Sequence, residues 1–328
     1  TIVNISSAWL TIDSNAVFNT QTDTNISDGW LMINSRGVLN TTRIDIASGV
    51  IIKKGNLTGS PAIYLRDGAI NLSGSFNVST LTVSSGVRLG HMPQEPLNIT
   101  AINVTVLYGG NISLTGKGFA GGTVNANGNG AGGGTGSTNG GGGGGYGGIG
   151  GSGGAGGGAG GLTYGSITSP VDLGSGGGGD TSPTQGGSGG GALFINVSDT
   201  LIVNGSIIAN GENGTAVASD GAGGGAGGSI FIIANKLDGN GSINASGGLG
   251  GDSGSADGGG GGGGRIAVYY TTKTFNGVIS AFGGPRVNQP GGAGTIFLKQ
   301  DAQTYGDLII NNNNVLTTAN TTINENRT

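Results

Sequence analysis

The chain has 328 residues, of which 79 are glycine and only 9% are charged, and its net charge is −4. Ordinary globular proteins have about 7% glycine and about 25% charged residues, so few side chains are left here for acid, base or phosphate chemistry. The scattered Lys and Arg form no cluster beside aromatics, no apolar run approaches the ~18 residues of a membrane-spanning helix, and there is no cysteine; this excludes a nucleic-acid footprint, a helical membrane span and a disulfide framework.

The chain opens at Thr1 with neither methionine nor signal peptide, as a processed mature chain does and as a trimmed one would. Residues 1–115 read as short strands. Trp30-Leu31-Met32-Ile33, Arg43-Ile44-Asp45-Ile46, Val50-Ile51-Ile52, Ala62-Ile63-Tyr64-Leu65 and Leu81-Thr82-Val83 are β-branched or aromatic-rich and bounded by Gly, Asn, Asp or Ser. Nothing has the 3.6-residue period of an amphipathic helix. Many close strands with hardly a charge between them predict an all-β fold, a β-solenoid or β-helix-like stack with essentially no α-helix. The lone histidine, His91 in Leu89-Gly90-His91-Met92-Pro93, reads as a loop residue, since a His-based metal or nucleophile site needs partners this chain lacks.

Sixteen Asn-X-Ser/Thr sequons point to N-glycosylation and hence to an exported protein. They begin at Asn4, Asn25, Asn40, Asn56, Asn71, Asn77, Asn98, Asn103, Asn111, Asn196, Asn204, Asn213, Asn240, Asn244, Asn320 and Asn326. None falls between residues 112 and 195, where glycine is densest and a glycan would not fit between closely packed backbones.

Residues 116–328 form a second, glycine-rich region containing an internal repeat. Four segments align: one from Ala192-Leu193-Phe194-Ile195, one from Ser229-Ile230-Phe231-Ile232, one from Arg265-Ile266-Ala267-Val268 and one from Thr295-Ile296-Phe297-Leu298. Their starts lie 30 to 37 residues apart, within the range of stacked repeats. Each unit is a strand, a turn, a second strand and a glycine-rich stretch, and Val104 to Asn127 is a weaker copy upstream. The glycine runs at residues 120–161, 174–191, 221–228 and 258–264 have two readings, flexible linker or ordered bundle. Their recurrence at one point of the repeat favours the bundle. So does the spacing of Tyr146, Ile149, Ser152 and Ala155 by three, which puts all four on one edge of a polyproline-II helix and leaves bare backbone on the others.

Gly223-Gly224-Gly225-Ala226-Gly227-Gly228-Ser229-Ile230-Phe231-Ile232, then Gly239-Asn240-Gly241-Ser242-Ile243-Asn244-Ala245 and Gly262-Gly263-Gly264-Arg265-Ile266-Ala267-Val268-Tyr269-Tyr270, resemble the glycine-rich repeats of large prokaryotic surface proteins and adhesins. The three-residue glycine spacing is similar to the polyglycine-II bundles of snow-flea antifreeze proteins and certain phage tail-fibre adhesins. The resemblance to the surface proteins and adhesins covers about residues 185–300 and implies an extracellular setting, with no catalytic residue to carry over.

Chemistry is sparse. The acids Asp13, Asp67, Asp180, Asp220, Asp238, Asp252 and Asp257 are isolated in sequence, whereas a polysaccharide-active enzyme needs carboxylates paired on one groove. No catalytic residue and no cofactor is expected. Gly247-Gly248-Leu249-Gly250-Gly251-Asp252 matches the start of a calcium-binding nonapeptide but lacks the later apolar residue, which leaves calcium near Asp252 and Asp257 open. Tyr146, Tyr164, Tyr269, Tyr270, Phe275 and Phe282 read as packing between strands and glycine segments, or else as a sugar-binding platform. Two functions compete ahead of an enzyme. One is a self-assembling subunit of a filament or surface layer, with other copies of itself as partner and contacts at the β-prone terminal residues Thr1, Ile2, Val3, Asn4, Ile5, Val315 and Leu316. The other is an adhesin that binds through glycine loops at residues 140–161.

Overall fold

Alternating side chains build the first half of this molecule, and the absence of side chains builds the second. The computed structural model describes residues 2–323 except residues 21, 155, 182, 218–219, 255 and 286–288. Thr1, Ala155 and Asn326 of the expected sites therefore lie outside the described residues. Among those described there is no α-helix, and the secondary structure is entirely β.

Most strands pair in parallel, each with the strand one turn of sequence further on. Val3–Ser6 lies beside Thr24–Ser27, which lies beside Ile44–Ala47, and Ile44–Ile46 in turn faces Ile63–Leu65. A second ladder runs from Trp9–Ile12 through Trp30–Ile33 to Val50–Ile52 and on to residues 88–91, 111–113, 206–208, 242–244 and 278–280. A third begins at residues 75–78 and passes through Asn98–Ala101 to Leu193–Val197. The four repeat starts then fall in register, Ala192 beside Ser229, Ser229 beside Arg265 and Arg265 beside Thr295. The sheets are open and mixed, because Thr295–Gln300 also pairs antiparallel with Asp307–Ile309 and Ala216–Val217 with Asp220–Gly221.

Several strands are longer than the short runs expected. Asp23–Ile33, Arg43–Lys53 and Ala62–Ser73 each serve two ladders without a break. They bend at Asp28 (φ 51°), Ser48 (φ 65°) and Gly68 (φ 70°), and Ser7 (φ 47°) marks the same corner one layer earlier. Asp and Ser tolerate this left-handed turn better than branched residues do, so the chain turns a corner there while pairing continues on either side.

Every second residue of these strands points inward. Ala192–Val203 is buried at Leu193, Ile195, Val197, Leu201 and Val203, and one continuous apolar core runs from Ile5 to Ile296. That core crosses the boundary at residue 115, as do the pairings of Asn111 with Ser206 and of Leu97–Val106 with Leu193–Val203. Each fully buried Ile or Leu contributes about 2 kcal/mol, which favours this register over one shifted by a single residue.

The glycine runs are ordered. Their backbone hydrogen bonds repeat every three residues, the number per turn of a polyproline-II chain. Gly141 and Gly144 donate to Gly221 and Gly224, Gly142 and Gly145 donate to Thr135 and Gly132, and Gly143 donates to Gly151. Gly258, Gly261 and Gly264 likewise step back along Gly251, Gly248 and Ala245, while Gly259 and Gly262 reach Gly141 and Gly144. One segment thus meets different neighbours on successive residues, and each neighbour supplies a carbonyl. A methyl group on Gly143 would collide with the Gly260 carbonyl, and one on Gly223 with that of Gly142.

Gly143→Ala is accordingly expected to destabilise the protein by about 3 kcal/mol, since overpacking here meets backbone that cannot yield. Gly254→Ala, at a position with φ 79° and nothing within 4 Å, is expected to cost only about 1 kcal/mol of local strain. Thermal denaturation of both variants checks the comparison; equal losses would show that close backbone contact is not what requires glycine.

Candidate functional site

The candidate site is the open end of the ladders formed by the first strands. Val3–Ser6, Trp9–Ile12 and Val17–Asn19 each have one neighbour, and their other edges carry no strand among the described residues. Ile2 (60% exposed), Trp9 (67%) and Val17 (61%) project there, and Trp9 stacks on Trp30 with ring centroids 4.7 Å apart and planes 2° from parallel. Residues 2–35 contain three aspartates (Asp13, Asp23, Asp28) and no Lys or Arg. A row of unpaired N–H and C=O groups beside exposed apolar rings is a surface suited to another strand.

The far end is built differently. Asp307–Ile309 covers the free edge of Thr295–Gln300, and the chain then runs across the glycine bundle. Thr317 and Thr321 donate their hydroxyls to the carbonyls of Pro290 and Ala293, each at 2.6 Å, and Asn320 accepts the Ile149 N–H. Val315 and Leu316, expected as terminal strand contacts, lie in no strand, and Leu316 is 94% exposed. Val278–Ser280 keeps an open edge among the described residues. Beside it a groove is lined by Lys273, Phe275, Ile279, Phe282, Ile296 and Leu298.

None of the described sequon asparagines is buried. Asn4, Asn40, Asn56, Asn77, Asn213, Asn240 and Asn320 are exposed; Asn25, Asn71, Asn98, Asn103, Asn111, Asn196, Asn204 and Asn244 are half-buried. Asn103, Asn204 and Asn213 accept backbone N–H groups of Thr200, Asn240 and Leu249 on Oδ1. Those bonds use the amide oxygen, not the nitrogen to which an N-linked sugar attaches. Asn111 instead buries Oδ1 without a partner.

The aromatics divide between core and junction. Tyr146 and Phe275 are buried, while Tyr164, Tyr269, Tyr270 and Phe282 are half-buried. Tyr146 and Ser229 share a hydroxyl–hydroxyl bond of 2.6 Å, and Ser229 also donates to the Asp172 carbonyl. Tyr164 bonds Ser175 and the Leu173 carbonyl. Arg265, 2% exposed, donates Nε to the Tyr164 carbonyl at 2.9 Å and lies 5.5 Å from the Tyr146 ring centroid. Burial pushes both phenols well above their usual range. This cluster fastens the glycine bundle to the third ladder, and only the fold brings together residues so distant in sequence.

His91 is not a loop residue. It ends the strand Arg88–His91, is 1% exposed and faces inward beside Leu72, and neither ring nitrogen has a hydrogen-bond partner. Gly191 packs against its Nε2 edge, where the glycine region rejoins the ladders. Asp257 accepts the N–H groups of Ser253 and Gly254, and the described residues contain no group of three His, Cys, Asp or Glu that could hold a metal. No helix of the described residues is long and apolar enough to cross a membrane.

Burial, with the charge of Lys117 adding to it, pushes the His91 imidazole down from 6.5 to about 4. Its folded pKa thus lies below its unfolded value, so its neutral form contributes stability above pH 6.5 that is lost as pH falls towards 4. That loss amounts to about 3 kcal/mol. His91→Leu is expected to remove this component, and denaturation curves of both proteins between pH 4 and 7 measure it; curves that stay parallel would refute the assignment. No family model, no curated protein and no solved structure matches this chain.

Proposed function

We propose that this chain is a non-enzymatic structural subunit of an extracellular, N-glycosylated filament or cell-surface assembly, folded as a β-solenoid that polymerises through terminal β-strand contacts. The observation that carries this reading is the end where, among the described residues, three strand edges lie open beside exposed Ile2, Trp9 and Val17. Stacked repeats need a polar cap at such an end to stay monomeric. A contact from one end to the other is heterologous, and where its rotation closes no ring, repetition yields an open fibre. The three ladders support the solenoid reading, since their partners recur about 20 residues apart before residue 115 and 30 to 37 apart from residue 192 on, and the glycine segments enter at one corner. The period-three hydrogen bonding supports the likeness to polyglycine-II surface proteins.

An extracellular setting is favoured by the sequons, of which the described ones sit on exposed or half-exposed asparagines and avoid the bundle interior. A second reading, an adhesin, draws on Val124, Leu162 and Val171, which are exposed in the sequon-free region. Of residues 140–161, the first candidates for binding loops, 140–151 lie mostly inside the bundle while Ser152, Gly156 and Ala159 are exposed, so an adhesive surface would fall on these together with Val124, Leu162 and Val171.

Electron microscopy of the native glycoprotein at neutral pH tests the main reading. Uniform fibres are expected, and deleting residues 1–8 is expected to abolish them. Discrete monomers before the deletion would favour the adhesin, and fibres surviving the deletion would remove the terminal strands from assembly. Glycopeptide mass spectrometry is expected to find sugar on Asn4, Asn56 and Asn77 and little on Asn111; a chain without glycan would contradict the glycoprotein assignment.

A further inference from the structure

Resting on the filament reading, we infer that the acceptor for the open first strands is the Val278–Ser280 edge and the apolar groove beside it on a second copy of this chain, joined in parallel register. Three observations carry this assignment. The first is continuity of the ladder. Trp9 stands beside Trp30, Trp30 beside Val50, Val50 beside Asn71 and Asn71 beside Gly90. Beyond the Leu89–Ile112 pair the column continues through Ser113 to Ile208, Asn244 and Ser280. Trp9 and Ser280 are therefore the two ends of one column. Adding another copy in the same direction places its Trp9 beside Ser280, its Ser7 beside Val278 and its Leu10 against inward-facing Ala281.

The second observation is apolar. Val278 is 63% exposed, and the groove beside it, at the bottom of the core, is lined by Phe275, Ile279, Ile296, Leu298 and the closing strand's Ile309. Trp9 and Ile2 are exposed at the opposite end. Asp307–Ile309 closes the third ladder, so the contact falls on the second ladder and the groove.

The third is charge. Residues 2–35 carry Asp13, Asp23 and Asp28 and no base, whereas residues 258–300 carry Arg265, Lys273, Arg286 and Lys299 and no acid. Asp301 follows in the turn after Thr295–Gln300 and Asp307 on the closing strand, which leaves Lys273, at the groove, as the exposed base facing an incoming acidic end. An exposed base at the groove and three aspartates at the other end favour head-to-tail over head-to-head association.

The chain has no cysteine, so a pair can be introduced without interference. The full-length double variant Ser7→Cys/Val278→Cys, assembled and then mildly oxidised, is expected to give a covalent ladder of dimers, trimers and higher multiples on a non-reducing denaturing gel. Neighbouring parallel strands bring Cα atoms to about 5 Å, within disulfide range. Each single-cysteine variant is expected to stay monomeric on the same gel. Dimers from Ser7→Cys alone would mean like ends meet and would overturn the assignment. Fibres from the double variant without cross-links would also overturn it while leaving the filament reading intact. If the unmodified chain forms no fibres, both fail together.

Discussion

The structure depends on one close approach, that of a backbone amide to a carbonyl with no side chain between them. Around Gly143, Gly223 and Gly261 the neighbouring segments lie so near that a single methyl group would strike a carbonyl. Ordering glycine costs on the order of 1–2 kcal/mol per residue, and no isolated glycine helix recovers that from internal bonds. Here the cost is offset laterally, by a hydrogen bond from nearly every residue to a neighbour and by dense contact between bare backbones. The low charge content follows from the same constraint, because a Lys or Glu among these segments would have neither room nor water.

A bundle of that kind needs something to hold its segments side by side, and the ladders supply it. The strands at Ala192, Ser229, Arg265 and Thr295 are each preceded by a glycine run and lie in register, so the runs arrive side by side. Tyr146, Tyr164, Ser229 and Arg265 then fasten the longest insertion to that frame. A buried guanidinium is costly unless hydrogen-bonded, and here carbonyl oxygens, the Thr295 hydroxyl and an aromatic face surround it.

Much of this is written in local pattern. The repeat starts share one pattern because strand partners one turn apart carry the same apolar alternation, and the glycine period of three is the period of the hydrogen bonds. What local pattern does not carry is anything decided by distant neighbours. Asp28 and Ser48 look like strand terminators, yet the chain bends there and its pairing continues on both sides, since the partner strands bend at the same corner. His91 follows a glycine and precedes Met-Pro, which reads as a loop, but its column neighbour Leu72 turns it inward. Low charge and β-propensity point to Thr1–Ile5 as a terminal contact but not to the neighbouring Trp9 edge; that Val315 and Leu316 lie in no strand follows from contacts of the Asn320 region with the bundle, which no window of sequence contains.

The period-three bonding has a consequence for how the molecule finds its alignment. A glycine segment slid by three residues along its neighbour would meet a nearly identical set of donors and acceptors, so the bundle has almost no sense of register of its own. Index marks must come from outside: the side-chain ladders at one end of each segment and Tyr146 against Ser229 within the longest one. Assembly order is constrained as a result, with the ladders and the Tyr146 contact fixing the vernier before the glycines close on it.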